Sequence, residues 1–276
     1  MTTRPNDAKP GGILSVADLS VGRRRLRITG ADCAAFLHGQ CTNDIHRLHT
    51  GESQYATFLN AKGKMRGEGH IIRLEDAFLL EVNTGLRESL EKFIITEDVT
   101  IEDMSDAFRC YLAMDHAPSV GTQFAHPLGV GVITAEVLPV TVSAEDFETR
   151  RIEAGIPKWG VDMDENTIPI EAGLERRAIN YDKGCYIGQE TVARIKTYGH
   201  VNRHLVQFSV LGEQLPVVSE KIFAGDKEAG HITSATHSNR LGKMLALGYV
   251  RREFARAGTA LRAGTLTLEV TRVCGE

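Results

Sequence analysis

From residue 204 onward the chain carries no helical period. Short segments alternate apolar and polar residues at 205–210, 221–223, 230–234, 244–250 and 266–273, and Gly, Asp, Asn and Pro separate them. Period-two alternation puts successive side chains on opposite faces of a strand, so this run predicts a small β-barrel or sandwich. A chain of 276 residues has room for about two domains, or three small ones, and the change of pattern sets a boundary near Arg203.

Upstream, strands and helices mix. Leu26 and Ile28 alternate with arginines over 21–29, a half-buried strand. Gly30-Ala-Asp32 opens a short helix over 33–38 that Gly39 ends. Tyr55, Thr57 and Leu59 alternate in a strand over 54–59, Asn60-Ala-Lys-Gly63 turns the chain, and strands follow over 64–73 and 77–82 with Glu75-Asp76 between them. Leu86, Leu90, Phe93 and Ile94 recur at helical spacing over 86–95. Further strands are expected at 98–102 and 108–114, a loop at 117–127, and strands within 130–142 broken at Pro139. Ser143-Ala-Glu-Asp146 starts a helix through Ala154 that Gly155 closes, and the polar stretch 162–167 reads as a surface loop. The fold class is α+β followed by an all-β module.

Ordinary apolar (42%) and charged (25%) content fits a globular protein with a real core. The net charge of −4 argues against nucleic-acid binding by bulk electrostatics. Residues 176–204 are locally basic, however: Arg176, Arg177, Lys183, Arg194, Lys196 and Arg203 face only Asp182 and Glu190. Such a cluster suits an anionic ligand or a solvated face. Five cysteines, an odd number with no CxxC spacing, fit a reducing, cytoplasmic compartment better than a disulfide framework, and they offer no metal site. His200 and His204 lack a third ligand nearby. Residues 1–12 are polar and Pro/Gly-containing, the composition of a flexible tail, and no apolar run is long enough to span a membrane.

One stretch invites a chemical reading: Asp182-Lys183-Gly184-Cys185-Tyr186-Ile187-Gly188-Gln189-Glu190. It predicts a tight loop leading into a helix over 189–196 that Gly199 closes. A thiol two residues from a lysine and just ahead of a helix N-terminus has its thiolate favoured by both charges. Cys185 would then be the reactive group and Lys183 its activator; the competing reading makes Cys185 an apolar filler.

Around that stretch lie Arg151-Ile-Glu-Ala-Gly155-Ile-Pro157-Lys-Trp-Gly160, Ile168-Pro-Ile-Glu-Ala-Gly-Leu174 and Tyr198-Gly-His-Val-Asn-Arg203. Upstream lie Phe36-Leu-His-Gly-Gln-Cys-Thr-Asn-Asp44 and Phe58-Leu-Asn-Ala-Lys-Gly63. In this order the blocks resemble the signature of the YgfZ family of folate-binding proteins, relatives of the glycine-cleavage aminomethyltransferase (T-protein) associated with maintaining iron–sulfur enzymes. The resemblance implies a T-protein-like architecture: two interleaved α/β domains over residues 13–203 and a C-terminal β-barrel over 204–276. It implies tetrahydrofolate or a derivative as cofactor, and iron–sulfur client or assembly proteins as partners. Glu153, matching the glutamate that T-proteins place on the pterin, would bind that ring; Arg203 would meet the folate carboxylates, and Tyr186 and Trp159 would line the cavity.

One departure separates the neighbours. T-proteins carry an aspartate seven residues after the asparagine of their Val-Asn-Ala block, where it handles methylene transfer. Here the block is Val82-Asn83-Thr84-Gly85 and the position is Leu90, with Glu88 two residues out of register. Leucine neither accepts a proton nor holds a charge. The leading expectation is therefore a folate-binding accessory protein for iron–sulfur enzymes. The alternatives are a true aminomethyltransferase, or a non-enzymatic module binding RNA or protein.

Overall fold

The computed structural model describes residues 15–212 and 214–276; the tail expected at 1–12 lies outside the described residues. Strand β1 (Val16–Asp18) does not pair with its successor in sequence. The chain first runs through β2 (Arg23–Thr29), α1 (Cys33–Gln40), β3 (Ser53–Leu59), β4 (Met65–Arg73), β5 (Phe78–Asn83), α2 (Leu86–Glu91) and β6 (Thr100–Asp103). Only then does β7 (Arg109–Ala113) return to lie antiparallel to β1, with Val16 opposite Ala113. With β8 (Thr122–His126) and β9 (Gly129–Thr134) they form a four-stranded sheet in the order β1-β7-β9-β8. The strands passed over form a five-stranded antiparallel sheet, β3-β4-β5-β2-β6. One unit is thus inserted into the other, the interleaving that the resemblance to T-proteins implies.

Alternation in the five-stranded sheet decides what each face meets. Leu26, Ile28, Phe58, Ile71, Leu80 and Val82 pack with Phe36 and Leu37 of α1 and with Leu86 and Leu90 of α2. Side chains of this size gain roughly 1.5–3 kcal/mol each when fully buried. On the other side Ile72 and Leu79 meet Cys110, Phe124 and Ile133 of the second sheet.

Several expectations change here. Helix α2 ends at Glu91, well short of residue 95, because the apolar face runs out: Ile95 is 83% exposed. The loop expected at 117–127 contains β8, an edge strand whose only buried side chain is Phe124, so its sequence shows little alternation. Beyond Thr134 the segment expected to be strand is irregular; the amides of Thr141 and Val142 donate to the carbonyl of Val16 instead.

Helix α3 (Ala144–Ala154) forms as its ends require: Ser143 Oγ accepts the amide of Asp146 at 3.0 Å, and Gly155 leaves with φ 66°. Two further helices, α4 (Glu175–Ala178) and α5 (Gln189–Tyr198), precede the barrel. The barrel strands are β10 (Arg203–Leu211), β11 (Lys221–Ala224), β12 (Lys227–Ser238), β13 (Lys243–Arg251), β14 (Ala260–Ala263) and β15 (Leu266–Val273). They close in the order β10-β13-β12-β11-β14-β15 around Val206, Phe208, Ile232, Leu268 and Val270, and closure leaves no unpaired edge. Strand β14 is too short, with only Leu261 and Ala263 turned inward, to show in the pattern.

Asp162 corrects the expected surface loop. It is 2% exposed and joins three elements: Arg151 Nη1 of α3 donates to it at 2.7 Å, and Thr233 and Ser234 of β12 donate at 2.5 and 2.7 Å. Arg151 also donates to Ser234 at 3.0 Å. This buried, fully bonded pair fixes α3 to the barrel wall.

Candidate functional site

Three sequence blocks, far apart in the chain, meet around the loop 182–188. The last carbonyls of a helix have no intrahelical partner. At the end of α1 they are taken by that loop: Lys183 Nζ donates to the carbonyls of His38 at 2.6 Å and Cys41 at 2.7 Å, across 145 residues of sequence in the first case. The amide of Ile187 donates to Gly39 O at 3.1 Å. A cation at the negative end of α1 also meets the helix dipole favourably. From below, the turn 60–63 closes in. Gly188 holds φ 84°, and a Cβ there would lie 2.6 Å from the Asn60 carbonyl oxygen, so no other residue fits. Phe36–Asp44, Phe58–Gly63 and Lys183–Glu190 are therefore parts of one structure.

The arrangement redefines Lys183. The expected role was activation of Cys185, yet the ammonium is turned inward, 6% exposed, with its donors on backbone oxygens and 4.8 Å from the Tyr186 ring. Burial lowers its pKa, opposed by Cys41 and Asp44. Burial likewise pushes the Cys41 thiol up to about 11. Lys183 is a clamp on α1. Cys185 is exposed, whereas Cys33, Cys41, Cys110 and Cys274 are buried. The apolar-filler reading of Cys185 therefore has no packing to support it.

Beside the loop stands a small titratable group. His38 stacks on His46 with ring centroids 4.3 Å apart, and its Nδ1 lies 3.5 Å from Asp44 Oδ1. Burial lowers the His38 pKa, helped by Lys183 and His46, so the imidazole is neutral near pH 7. Asp44 accepts the His46 amide at 3.0 Å and pairs with Arg47 at 3.2 Å.

The side chains of the remaining expected residues do not gather around Cys185. Tyr186 is 8% exposed in a core of Leu59, Met65, Met163, Ala172 and Val192, with half-buried Trp159 packed against it. Glu153, at the end of α3, turns to the barrel rim: one oxygen accepts from Ser238 Oγ, and the other accepts two donors from Arg240 at 2.7 and 3.0 Å. Arg203 opens β10, donates to Glu171 at 3.0 Å, and lies 4.5 Å from the Tyr249 ring. Much of the local basic excess is paired: Arg194 with Glu190, Lys196 with Glu175, Arg203 with Glu171. Among the described residues no group of three His, Cys, Asp or Glu could hold a metal ion. Leu90 is fully buried in the core under α2, and Glu88 is exposed.

Sequence reading missed a second polar group between the two sheets. Arg23 pairs with both Glu68 and Glu81, and Glu81 reaches His70 Nδ1 at 3.2 Å. Burial would raise the Glu81 pKa, but Arg23 and His70 together outweigh it and hold the carboxyl well below the usual range. Arg177 lies 3.8 Å over the Tyr55 ring nearby. The signal was present: Glu68 and His70 alternate with glycines in β4. Neither the cavity of about 670 Å³ beside His237, Lys243 and Glu269 nor that of about 490 Å³ beside Ser53, Phe124 and Val130 is lined by Glu153 or Cys185.

Comparison with known proteins agrees with this architecture. Residues 14–114 match the GCVT N-terminal domain and residues 203–272 the glycine cleavage T-protein C-terminal barrel domain. An aminomethyltransferase of Thermosynechococcus vestitus is 37% identical over 51% of this chain, a match spanning only 38% of that relative's length. One from a Nostoc species is 33% identical over 86% of this chain and 77% of its own length. The crystal structure of the glycine cleavage system aminomethyltransferase T from Bartonella henselae superposes with a TM-score of 0.79 at 18% identity, covering 94% of this chain and 85% of that one. With both matched domains in place and a relative this similar across most of both lengths, the chain belongs to the glycine cleavage T-protein family.

Proposed function

We propose that this protein is a folate-binding accessory protein of the YgfZ type that supports iron–sulfur enzymes through Cys185, and that it does not perform aminomethyl transfer. The observation that carries the reading is the loop 182–188: a buried lysine is spent on holding it to α1, and a cysteine is among the residues it presents to solvent. A clamp of two charge-assisted hydrogen bonds that exposes a thiol makes sense when the thiol meets a partner. The second support is Leu90. The position at which T-proteins use an aspartate is here a core side chain with no access to a substrate.

Tetrahydrofolate is the cofactor the family implies, and Glu153 is its candidate on the pterin. The carboxylate already has partners, Ser238 and Arg240. Arg240 is 70% exposed, so a pterin carrying paired N–H donors displaces it from one oxygen at small cost, while Ser238 keeps the carboxylate aimed. The folate supplies a one-carbon or redox-active pterin when bound; the chain's own part is to orient it. Iron–sulfur clients and a cytoplasmic setting belong to the same proposal.

Calorimetric titration with reduced folates tests it. Glu153→Ala removes a charge-assisted pair of roughly 1.5–3 kcal/mol, a loss of about tenfold or more in affinity, while Arg240→Ala retains or tightens binding. Absence of folate binding, or unchanged affinity in Glu153→Ala, removes that assignment. Restoration of glycine-cleavage turnover at a T-protein rate would favour the aminomethyltransferase instead.

A further inference from the structure

The clamp leaves Cys185 without its expected activator, and the structure supplies another base. Gly184 packs on the edge of His38: a Cβ at Gly184 would stand 3.3 Å from His38 Nε2. Cys185 is the next residue, its Cα about 3.8 Å further along the chain. The opposite ring nitrogen, Nδ1, is buried, makes no hydrogen bond, and lies 3.5 Å from Asp44 Oδ1. A buried polar atom left without a partner calls for an explanation. Here the imidazole has one nitrogen towards a carboxylate and the other towards the peptide that carries an exposed thiol. This is the order of groups by which a nucleophile, its base and the base's orienting carboxylate are built.

We propose that His38 is the base for Cys185 and that Asp44 positions it, forming a Cys–His–Asp relay built from the α1 turn and the loop 182–188. The inference rests on the reading of Cys185 as the reactive group. On rotation of its side chain towards Nε2, Cys185 gives up the thiol proton to that nitrogen. Thiolate and imidazolium form, and Asp44 stabilises the imidazolium by accepting a hydrogen bond from Nδ1–H, which keeps its proton. No electron pair leaves the site and no co-reactant is needed. The thiolate then meets an electrophilic centre on a partner protein or a small molecule.

The charges around the ring fit this role. Burial, then Lys183 and His46, oppose a proton on His38 in the resting state, while Asp44 favours one; Arg47 pairs with the other oxygen of Asp44. A neutral resting imidazole can accept a proton. The same geometry accounts for Gly184 itself, since any side chain there presses on the ring.

The test is the pH profile of Cys185 alkylation by iodoacetamide in the full chain, read by peptide mass. The four buried cysteines report in the same digest whether each variant stays folded. A free thiol has a midpoint near about 8.5, whereas thiols paired with a histidine fall to about 3.5–7.5. The wild type is expected to show a midpoint below the free-thiol value. His38→Gln should move it up towards that value, slowing alkylation at pH 7 about tenfold or more. Asp44→Asn, which keeps the cap on the His46 amide, should give an intermediate shift and serves alone if His38→Gln exposes the buried cysteines. Reactive wild-type Cys185 with superimposable profiles in both variants overturns the relay and leaves the Cys185 reading standing. A wild-type Cys185 that resists alkylation overturns both.

Discussion

Lys183→Met isolates the clamp. The substitution keeps the length of the side chain and its contact with Tyr186 but removes the ammonium. Lost are donations to His38 O at 2.6 Å and Cys41 O at 2.7 Å. Hydrogen bonds to charged groups contribute about 1.5–3 kcal/mol each, so the gross loss is about 3–6 kcal/mol. Against it stands the relief of burying a cation, whose unfavourable sign is shown by the lowered Lys183 pKa. Two carbonyls at the end of α1 are then left to find other donors, and a net destabilisation of about 2–4 kcal/mol remains. At roughly 2–4 °C per kcal/mol for chains approaching this size, the thermal midpoint should fall by about 4–16 °C. Calorimetry with limited proteolysis is the assay, and cleavage within 182–188 should appear well below the midpoint because the loop has lost its anchor. Lys183→Arg should not rescue, since a planar fork does not fit a pocket shaped for a point donor. The reasoning is refuted if Lys183→Met melts within a degree of the wild type with its loop equally resistant. It also fails if the only change is a raised Cys185 alkylation midpoint, which would return Lys183 to the role of thiol activator.

Three further outcomes follow from burial. Leu90→Asp should not recreate a T-protein: removing a buried leucine costs about 2–5 kcal/mol before the carboxylate is counted, so soluble yield should collapse, and a stable variant active in glycine cleavage would show that the position faces a substrate. Arg151→Met breaks a pair with Asp162 in which Arg151 is 4% exposed; about 3–5 kcal/mol should be lost, measured as a drop in denaturant midpoint, and an unchanged midpoint would remove Asp162 as the joint to the barrel. Acid should weaken the fold early. Burial lowers the pKa of His38, His70, His204 and His231 below 6.5 and takes His126 to about 3. Depressed folded-state values mean that the unfolded chain binds protons first, so stability is full above about pH 6.5 and falls as pH drops below it, for His126 down to about pH 3 at up to about 1.4 kcal/mol per pH unit. Glu81, also depressed, adds to the loss below its ordinary range. Urea midpoints equal at pH 7.5 and pH 5 would contradict this.

Much of this protein follows from local rules that act over a few residues. Strand alternation and glycine punctuation set β2 to β5, Ser143 and Gly155 bound α3, and the short strands after residue 204 close into a barrel. Each is decided by periodicity or by a cap, interactions that a window of sequence contains in full. Where the local signal was thin, as in edge strand β8 and four-residue β14, pairing with a neighbour decided the conformation. Side-chain partners were beyond the sequence altogether. Lys183 is two residues from Cys185, and proximity along the chain suggested that it served the thiol. Folding brings the end of α1 to the same place, and two unsatisfied carbonyls hold a buried ammonium more firmly than an exposed thiol does. Asp162, in a polar stretch that looked like surface, is buried because Arg151, Thr233 and Ser234 arrive from two other elements to satisfy it. His38 was one letter of a motif block until the fold set it between Asp44 and Gly184. Residue type fixes which chemistry a side chain can do; which partner it does it with depends on contacts between distant segments, and only the tertiary structure makes those.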